Sequence, residues 1–209
     1  MSGLLACGLR LFYNTYARRT AAARRRVERR YVGLFDKLGL SLLDRSKPTL
    51  KPVPTPEDPQ AVCAPVTGLA MALADVSDPA FAEGMLGVGV GIRPDGDVAY
   101  APVTGIVAAD VKTRHALLIR SECGAEVLLH VGLDSVALRG AGFRQLVRKG
   151  DEVRAGQPVL CFDRSLMAER GLDDTVVVTV TNPDGFARVE TCCAGAEVAA
   201  GAAVLRCVS

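Results

Sequence analysis

Two short phrases in this chain each occur twice. Ala64-Pro65-Val66-Thr67-Gly68 recurs as Ala101-Pro102-Val103-Thr104-Gly105, and Gly150-Asp151-Glu152-Val153-Arg154-Ala155-Gly156 is answered by Gly195-Ala196-Glu197-Val198-Ala199-Ala200-Gly201. A Pro entering a strand and a Gly leaving it mark sheet edges and tight corners, so paired copies predict two similar β halves closed around one core. The text between them agrees. Short apolar runs at 98–109, 116–120, 125–133, 158–162 and 175–181 are punctuated by Gly, Pro, Asp and Asn, which reads as strands and turns. Only 163–171 and 79–86 read as briefly helical. The expected fold is all-β, an antiparallel β-sandwich or barrel with two similar halves.

Composition bounds the rest. The 209 residues suffice for one medium domain with appendages, and 49% are apolar although only 5% are aromatic and Trp is absent. Such a mix of Ala, Val, Leu and Gly suits a tightly packed globular chain and excludes collagen-like, coiled-coil and wholly disordered classes. Seven Cys form no C-x-x-C pair and cannot all be bridged internally, which predicts a reduced compartment with Cys serving as small core residues. No apolar run approaches the roughly 20 residues of a membrane-spanning helix. The short apolar stretch at 3–9 precedes the basic cluster, the reverse of a secretory signal, so export is not expected.

Charge is unevenly placed. Residues 1–31 hold eight Arg against Glu28 alone, a net +7, while the remaining 178 residues hold 17 basic and 22 acidic groups, a net −5. The text changes character near Val32 as at a chain start, so 1–31 is expected to be a basic extension, non-native or dispensable. Nucleic-acid binding would rest on that extension alone, against an acidic body, and is not expected. Leu34, Phe35, Leu38 and Leu42 then fall at helical spacing with Asp36 and Lys37 opposite, predicting a short amphipathic helix over 33–43. Such a helix is either docked on a core or a weak, reversible anchor at a membrane surface. Pro48, Pro52, Pro54, Pro56 and Pro59 remove backbone donors and favour extended geometry, so 44–60 reads as a linker. The expected division is 1–31, then 32–60, then one domain over 61–209.

The chain has two His, and both lie in strand-like text of the β body. His130 ends the run Glu126-Val127-Leu128-Leu129-His130-Val131 and is followed at once by Gly132, where a missing side chain permits close approach. His115 precedes Ala116-Leu117-Leu118-Ile119. On residue type alone, a strand histidine is more often structural than reactive.

Several ordered motifs carry a resemblance. Phe81-Ala82-Glu83 through Val88-Gly89-Val90-Gly91-Ile92, Thr113-x-His115-Ala116, Gly124 to Val136, Gly140-x-Gly142-Phe143 and Gly150-x-x-Val153-x-x-Gly156 together resemble the glucose-class IIA domain of the bacterial phosphoenolpyruvate-dependent sugar phosphotransferase system. The resemblance spans about 61–209 and includes the Gly33-Leu34-Phe35-Asp36-Lys37-Leu38 start of stand-alone members. It implies that His130 accepts a phosphoryl group from the phosphohistidine of the small carrier HPr and passes it to a Cys on a IIB domain of a glucose-type permease. It implies further that His115 donates to the phosphoryl oxygens, that Thr113 hydrogen-bonds and orients His115, and that no cofactor is needed beyond the phosphoryl group on His130. Asp134 is either a turn-capping carboxylate or an acidic neighbour that shapes the site. By motif position Phe81, Met85, Leu86, Val111, Leu128 and Val136 would form an apolar docking ring, although each could equally be core. The implied location is cytoplasmic, with peripheral contact at the inner membrane face through 33–43.

Three rival readings fit parts of the chain. The spacing His130-x-x-x-Asp134 is also a two-ligand metal pattern, but a catalytic zinc wants three protein ligands and water, and no His follows His130. No metal is expected from this chain alone, although His115 and His130 could lend ligands to one completed by a partner's carboxylate. A biotinyl or lipoyl carrier would need a modifiable Lys at a hairpin tip, and Lys149 lacks the expected surroundings. A binding-only module that regulates transporters or metabolic enzymes is compatible with phosphoryl transfer, since a phosphate adds roughly two negative charges to a docking surface.

Overall fold

The computed structural model describes residues 50–209, so the basic extension and the amphipathic segment at 33–43 lie outside the described residues. Fourteen strands follow in order: β1 (Ala61–Cys63), β2 (Gly68–Ala72), β3 (Val88–Pro94), β4 (Val98–Tyr100), β5 (Gly105–Asp110), β6 (Ala116–Ser121), β7 (Glu126–Val131), β8 (Phe143–Gln145), β9 (Glu152–Val153), β10 (Pro158–Phe162), β11 (Val176–Val180), β12 (Arg188–Thr191), β13 (Glu197–Val198) and β14 (Ala203–Val208). Two short helices, α1 (Pro79–Ala82) and α2 (Arg164–Glu169), interrupt them. Both begin at an Asp whose carboxylate accepts from a backbone N–H of the first turn, Asp78 from Ala80 and Asp163 from Leu166. Among the described residues no helix is long and apolar enough to cross a membrane.

The strands form an eight-stranded antiparallel sheet in the order β13-β2-β3-β11-β7-β6-β5-β9 and two three-stranded sheets, β1-β14-β12 and β4-β10-β8. The sheets stay open, so the architecture is a sandwich and not a closed barrel. Period-two alternation explains the packing. Val90 and Ile92 of β3, Leu117 and Ile119 of β6, Val127, Leu129 and Val131 of β7, and Val176, Val178 and Val180 of β11 face the small sheets and form the main core with Val62, Leu160, Val204 and Leu205. The intervening residues of the same strands point the other way, where Val76, Phe81, Ala116, Leu128, Leu133 and Val177 make a second, smaller apolar cluster.

The repeated phrases are structural equivalents. Each APVTG copy is a bend joining a three-residue strand to a longer one, β1 to β2 and β4 to β5. Each GxEVxAG copy forms a two-residue strand and turn, β9 before β10 and β13 before β14. The hydrogen bonds repeat as well. Thr67 Oγ1 accepts from Ala200 N at 3.0 Å, as Thr104 Oγ1 does from Ala155 N at 3.0 Å. The two bends are tied to each other, since Cys63 N donates to Pro102 O at 2.7 Å and Tyr100 N to Pro65 O at 2.8 Å. The long apolar run at 98–109 is therefore two strands broken at a corner, because Pro102 has no N–H to keep a ladder going.

The Pro-rich stretch is not a free linker where it is described. Val53 N donates to Gly156 O at 3.0 Å, and a Cβ at Gly156 or Gly201 would fall 2.3 Å from Val53 O or 2.2 Å from Pro54 O. The extended backbone thus lies against both equivalent turns, and the compact body takes in this stretch from Leu50 onward instead of starting at 61. Cys63 and Cys207 are buried, with burial pushing each thiol up to about 11, which fits small inert core residues. Cys192, in contrast, is exposed.

Close backbone contact across the sheet makes one glycine test decisive. A Cβ at Gly105 would sit 2.0 Å from Arg120 O on the neighbouring strand, whereas one at Gly96 would meet nothing within 4 Å. Gly105→Ala should cost about 2 kcal/mol or more and Gly96→Ala less than about 0.5 kcal/mol, read as urea-unfolding midpoints.

Candidate functional site

Strand β7 is hydrogen-bonded along both edges, and its register sets His130 opposite Ala116 of β6 and Val177 of β11. Both neighbours are apolar and Ala116 is small, so the imidazole rises from the middle of the sheet on the face of the second cluster. His115 lies just before β6, after a turn in which Arg114 N donates to Val111 O at 2.8 Å and Arg114 adopts a left-handed φ of 60°. His115 O accepts from Val131 N at 2.8 Å, which anchors its backbone beside β7. The structure brings the two histidines together. Their ring centroids are 4.8 Å apart at 79°.

The surroundings are apolar. Phe81 of α1 packs edge-on against His130 at 5.2 Å, and Phe143 of β8 stands 6.2 Å from His115. The loop after α1 is held down on the sheet by Thr179 Oγ1, which donates to Leu86 O at 2.8 Å. Gly89 and Gly91 of β3 leave room there: a Cβ at Gly91 would strike Val76 Cγ2 at 2.7 Å and Met71 Cγ at 3.0 Å. Below His130, Gly132 has φ 73° and Ser135 Oγ donates to Val131 O at 2.7 Å, which ends the strand and turns the chain away.

Burial sets the protonation state of both rings. It drives His115 down to about 4, with the nearby Thr113 backbone offsetting part of the fall. It lowers His130 too, and the proximity of His115 adds to the effect. Both imidazoles are neutral at pH 7. The Nδ1 of each is buried and has no hydrogen-bond partner among the described residues. His130 as a residue is half-buried.

The structure places the other candidate residues as follows. Thr113 is buried beside the site; its backbone bears on the His115 imidazole, and its hydroxyl has no partner among the described residues. Asp134 is exposed and opens the single turn Ser135–Leu138 with a left-handed φ of 54°, a conformation Asp tolerates, and its side chain makes no capping bond to that turn. Of the ring residues, Phe81 and Leu128 are 2% and 5% exposed and so form the floor and not a rim. Met85 is 63% exposed, and Leu86, Val111 and Val136 are half-buried. Phe143, against His115, has no role assigned from the sequence, because a Phe directly after Gly142 carries no signal of which side it faces. Among the described residues no group of three or more His, Cys, Asp and Glu side chains is placed to hold a metal ion.

Comparison with known proteins places these observations among relatives. The profile of the phosphoenolpyruvate-dependent sugar phosphotransferase system, EIIA 1, matches residues 60–186. The chain is 41% identical over 136 residues to the PTS system beta-glucoside-specific EIIBCA component of Dickeya chrysanthemi, covering 65% of this chain and 22% of that protein. It is 36% identical over 129 residues to the PTS system glucose-specific EIIA component of Oceanobacillus iheyensis, covering 62% of this chain and 78% of the relative. Its fold is similar to that of the glucose permease IIA from Mycoplasma capricolum, with a TM-score of 0.63, 35% identity, and 69% and 93% of the two chains covered. The chain thus spans most of a stand-alone relative and about a fifth of a multidomain one.

The depressed histidines make stability depend on pH in a defined direction. Below the ordinary value of 6.5 the unfolded chain takes up protons that the folded rings refuse. Their contribution is therefore complete above pH 6.5 and is lost as pH falls toward 4. Between pH 7.5 and 5.5 the unfolding free energy should fall by on the order of 1 kcal/mol per imidazole. A His115→Gln, His130→Gln double variant should show a correspondingly flatter profile in urea titrations.

Proposed function

Because the chain belongs to the phosphoenolpyruvate-dependent sugar phosphotransferase system EIIA 1 family, we propose that it is a phosphocarrier in which His130 accepts a phosphoryl group from the phosphohistidine of HPr and yields it to a cysteine on the IIB domain of a glucose-type permease. The observation that carries this reading is the pair of neutral imidazoles 4.8 Å apart on an apolar sheet face, one of them partly open to solvent. A neutral imidazole nitrogen is a competent nucleophile near pH 7, and its N-phosphoryl product is labile enough to be handed on. Relatives named EIIBCA join the same domain to B and C components in one chain, which supports a IIB partner.

In the forward step the Nε2 lone pair of His130 attacks phosphorus while the donor's P–N bond breaks, and the departing imidazole keeps that bond's electron pair. Little covalent work is left to the protein beyond in-line placement and support of the charge on the equatorial oxygens. His115, across a 79° ring contact, supplies an N–H for that charge. The phosphoryl group is carried covalently, with no other cofactor. Apolar residues around the pair, Met85, Leu86 and Val111 among them, offer a surface on which two unlike partners dock and from which added charge repels a partner that must bury it. Regulation of further partners by phosphorylation state follows from the same electrostatics. Donor and acceptor meet this domain on the cytoplasmic side.

Incubation with phosphoenolpyruvate, enzyme I and HPr should place acid-labile, base-stable phosphate on the protein. His130→Ala should abolish labelling, while His115→Gln should still accept phosphate and pass it to IIB at least about ten-fold more slowly. Labelling that survives His130→Ala would refute the assignment.

A further inference from the structure

Histidines that react are ordinarily oriented by a hydrogen bond on the nitrogen that does not. His130 has none here, since its buried Nδ1 lacks a hydrogen-bond partner among the described residues, whereas the Thr113 backbone bears on His115. What touches the rings instead is aromatic. Phe81, His130, His115 and Phe143 stand in file, with successive centroids 5.2, 4.8 and 6.2 Å apart and interplanar angles of 64°, 79° and 56°. Edge-to-face contact is directional, because the positive rim of one ring seeks the negative face of the next.

We propose that Phe81 is a positioning residue, holding the His130 imidazole by its flat edge-on contact so that Nδ1 stays covered and Nε2 alone is presented for phosphorylation. The reading rests on phosphorylation of His130 and goes beyond it by giving Phe81 a task distinct from partner docking. Three observations favour this. Phe81 is 2% exposed, so it has almost no surface to offer a partner. Its helix is fixed at one end by the Asp78 cap, with Ala80 N at 2.8 Å from the carboxylate, and the following loop is tied to β11 through Thr179 and Leu86. A Cβ at Gly87 would lie 2.1 Å from Val180 O, so that loop has little room to move away from the sheet. A rigidly held ring is therefore the group that limits rotation of the imidazole about χ2.

A donor that needs no docking surface separates positioning from partner binding. Phosphoramidate transfers its phosphoryl group directly: the new Nε2–P bond forms, ammonia leaves with the electrons of the old P–N bond, and the imidazole keeps its Nδ1 proton. The full chain and its Phe81→Leu, Phe81→Met and Phe81→Tyr variants would be treated with phosphoramidate and, separately, with HPr and its phosphoenolpyruvate-driven donor system. Folding of each variant would be verified by circular dichroism, and the phosphorylated nitrogen assigned by ³¹P and ¹⁵N NMR. The Leu and Met variants are similar in volume but lack a flat ring. They should be phosphorylated about ten-fold more slowly by phosphoramidate, with a measurable share of product on Nδ1. With HPr their KM should stay within about two-fold while kcat falls. Phe81→Tyr should keep both the wild-type rate, within about two-fold, and Nε2 as the sole site. Wild-type rates and pure Nε2 product in the Leu and Met variants would overturn the proposal, as would equal slowing in Phe81→Tyr. If the wild-type protein takes no phosphate from HPr, the phosphocarrier reading itself fails.

Discussion

Everything at the site depends on the register of β7. Five residue pairs join it to β6 and five to β11. Because side chains alternate, a slip of one residue would send Val127, Leu129 and Val131 out of the main core and bury His130 in it. The hydrophobic pattern that stabilises the sandwich is thus the same pattern that exposes the histidine. Packing and function cannot be separated along this strand.

The internal two-fold relation shows how a small chain keeps that central sheet in place. The bends after β1 and β4 hold each other through reciprocal bonds, Cys63 N to Pro102 O and Tyr100 N to Pro65 O. The turns before β10 and β14 are capped by equivalent threonines, and both press on the extended segment at Val53 and Pro54. These contacts lie on the periphery of the fold. They let β3, β11, β7 and β6 occupy the interior of the large sheet, where their backbone groups are paired on both sides.

Burial gives the site its chemical character. A histidine in water is partly protonated near pH 6.5, but an apolar environment disfavours the charged form, and two close imidazoles disfavour it further. The cluster of Phe81, Leu128, Leu133, Ala116 and Val177 therefore helps keep the imidazoles neutral as well as adding apolar burial. Its small members matter as much as its large ones, because Ala116 beside His130 and Gly91 on β3 leave the ring room to stand upright.

Much of this was legible in the chain itself. The runs at 116–120, 158–162 and 175–181 coincide closely with β6, β10 and β11, since alternation or sustained apolar text between turn residues leaves a strand few alternatives, and the duplicated phrases announced two equivalent halves. What the chain left open was how side chains sit when their surroundings come from distant parts of the sequence. Phe81 and Leu128 are apolar whether they form a rim or a floor, and only the docking of α1 on the sheet decides that they form the floor. Thr113 lies two residues before His115, yet past the left-handed turn at Arg114 its hydroxyl has no partner among the described residues. The chain by itself determined the strands, the corners and which histidine follows which, because these depend on local periodicity and on Pro and Gly geometry. Only the tertiary structure decided that two imidazoles fifteen residues apart share one apolar face between Phe81 and Phe143, because that depends on register across three strands and on a ring delivered from another sheet.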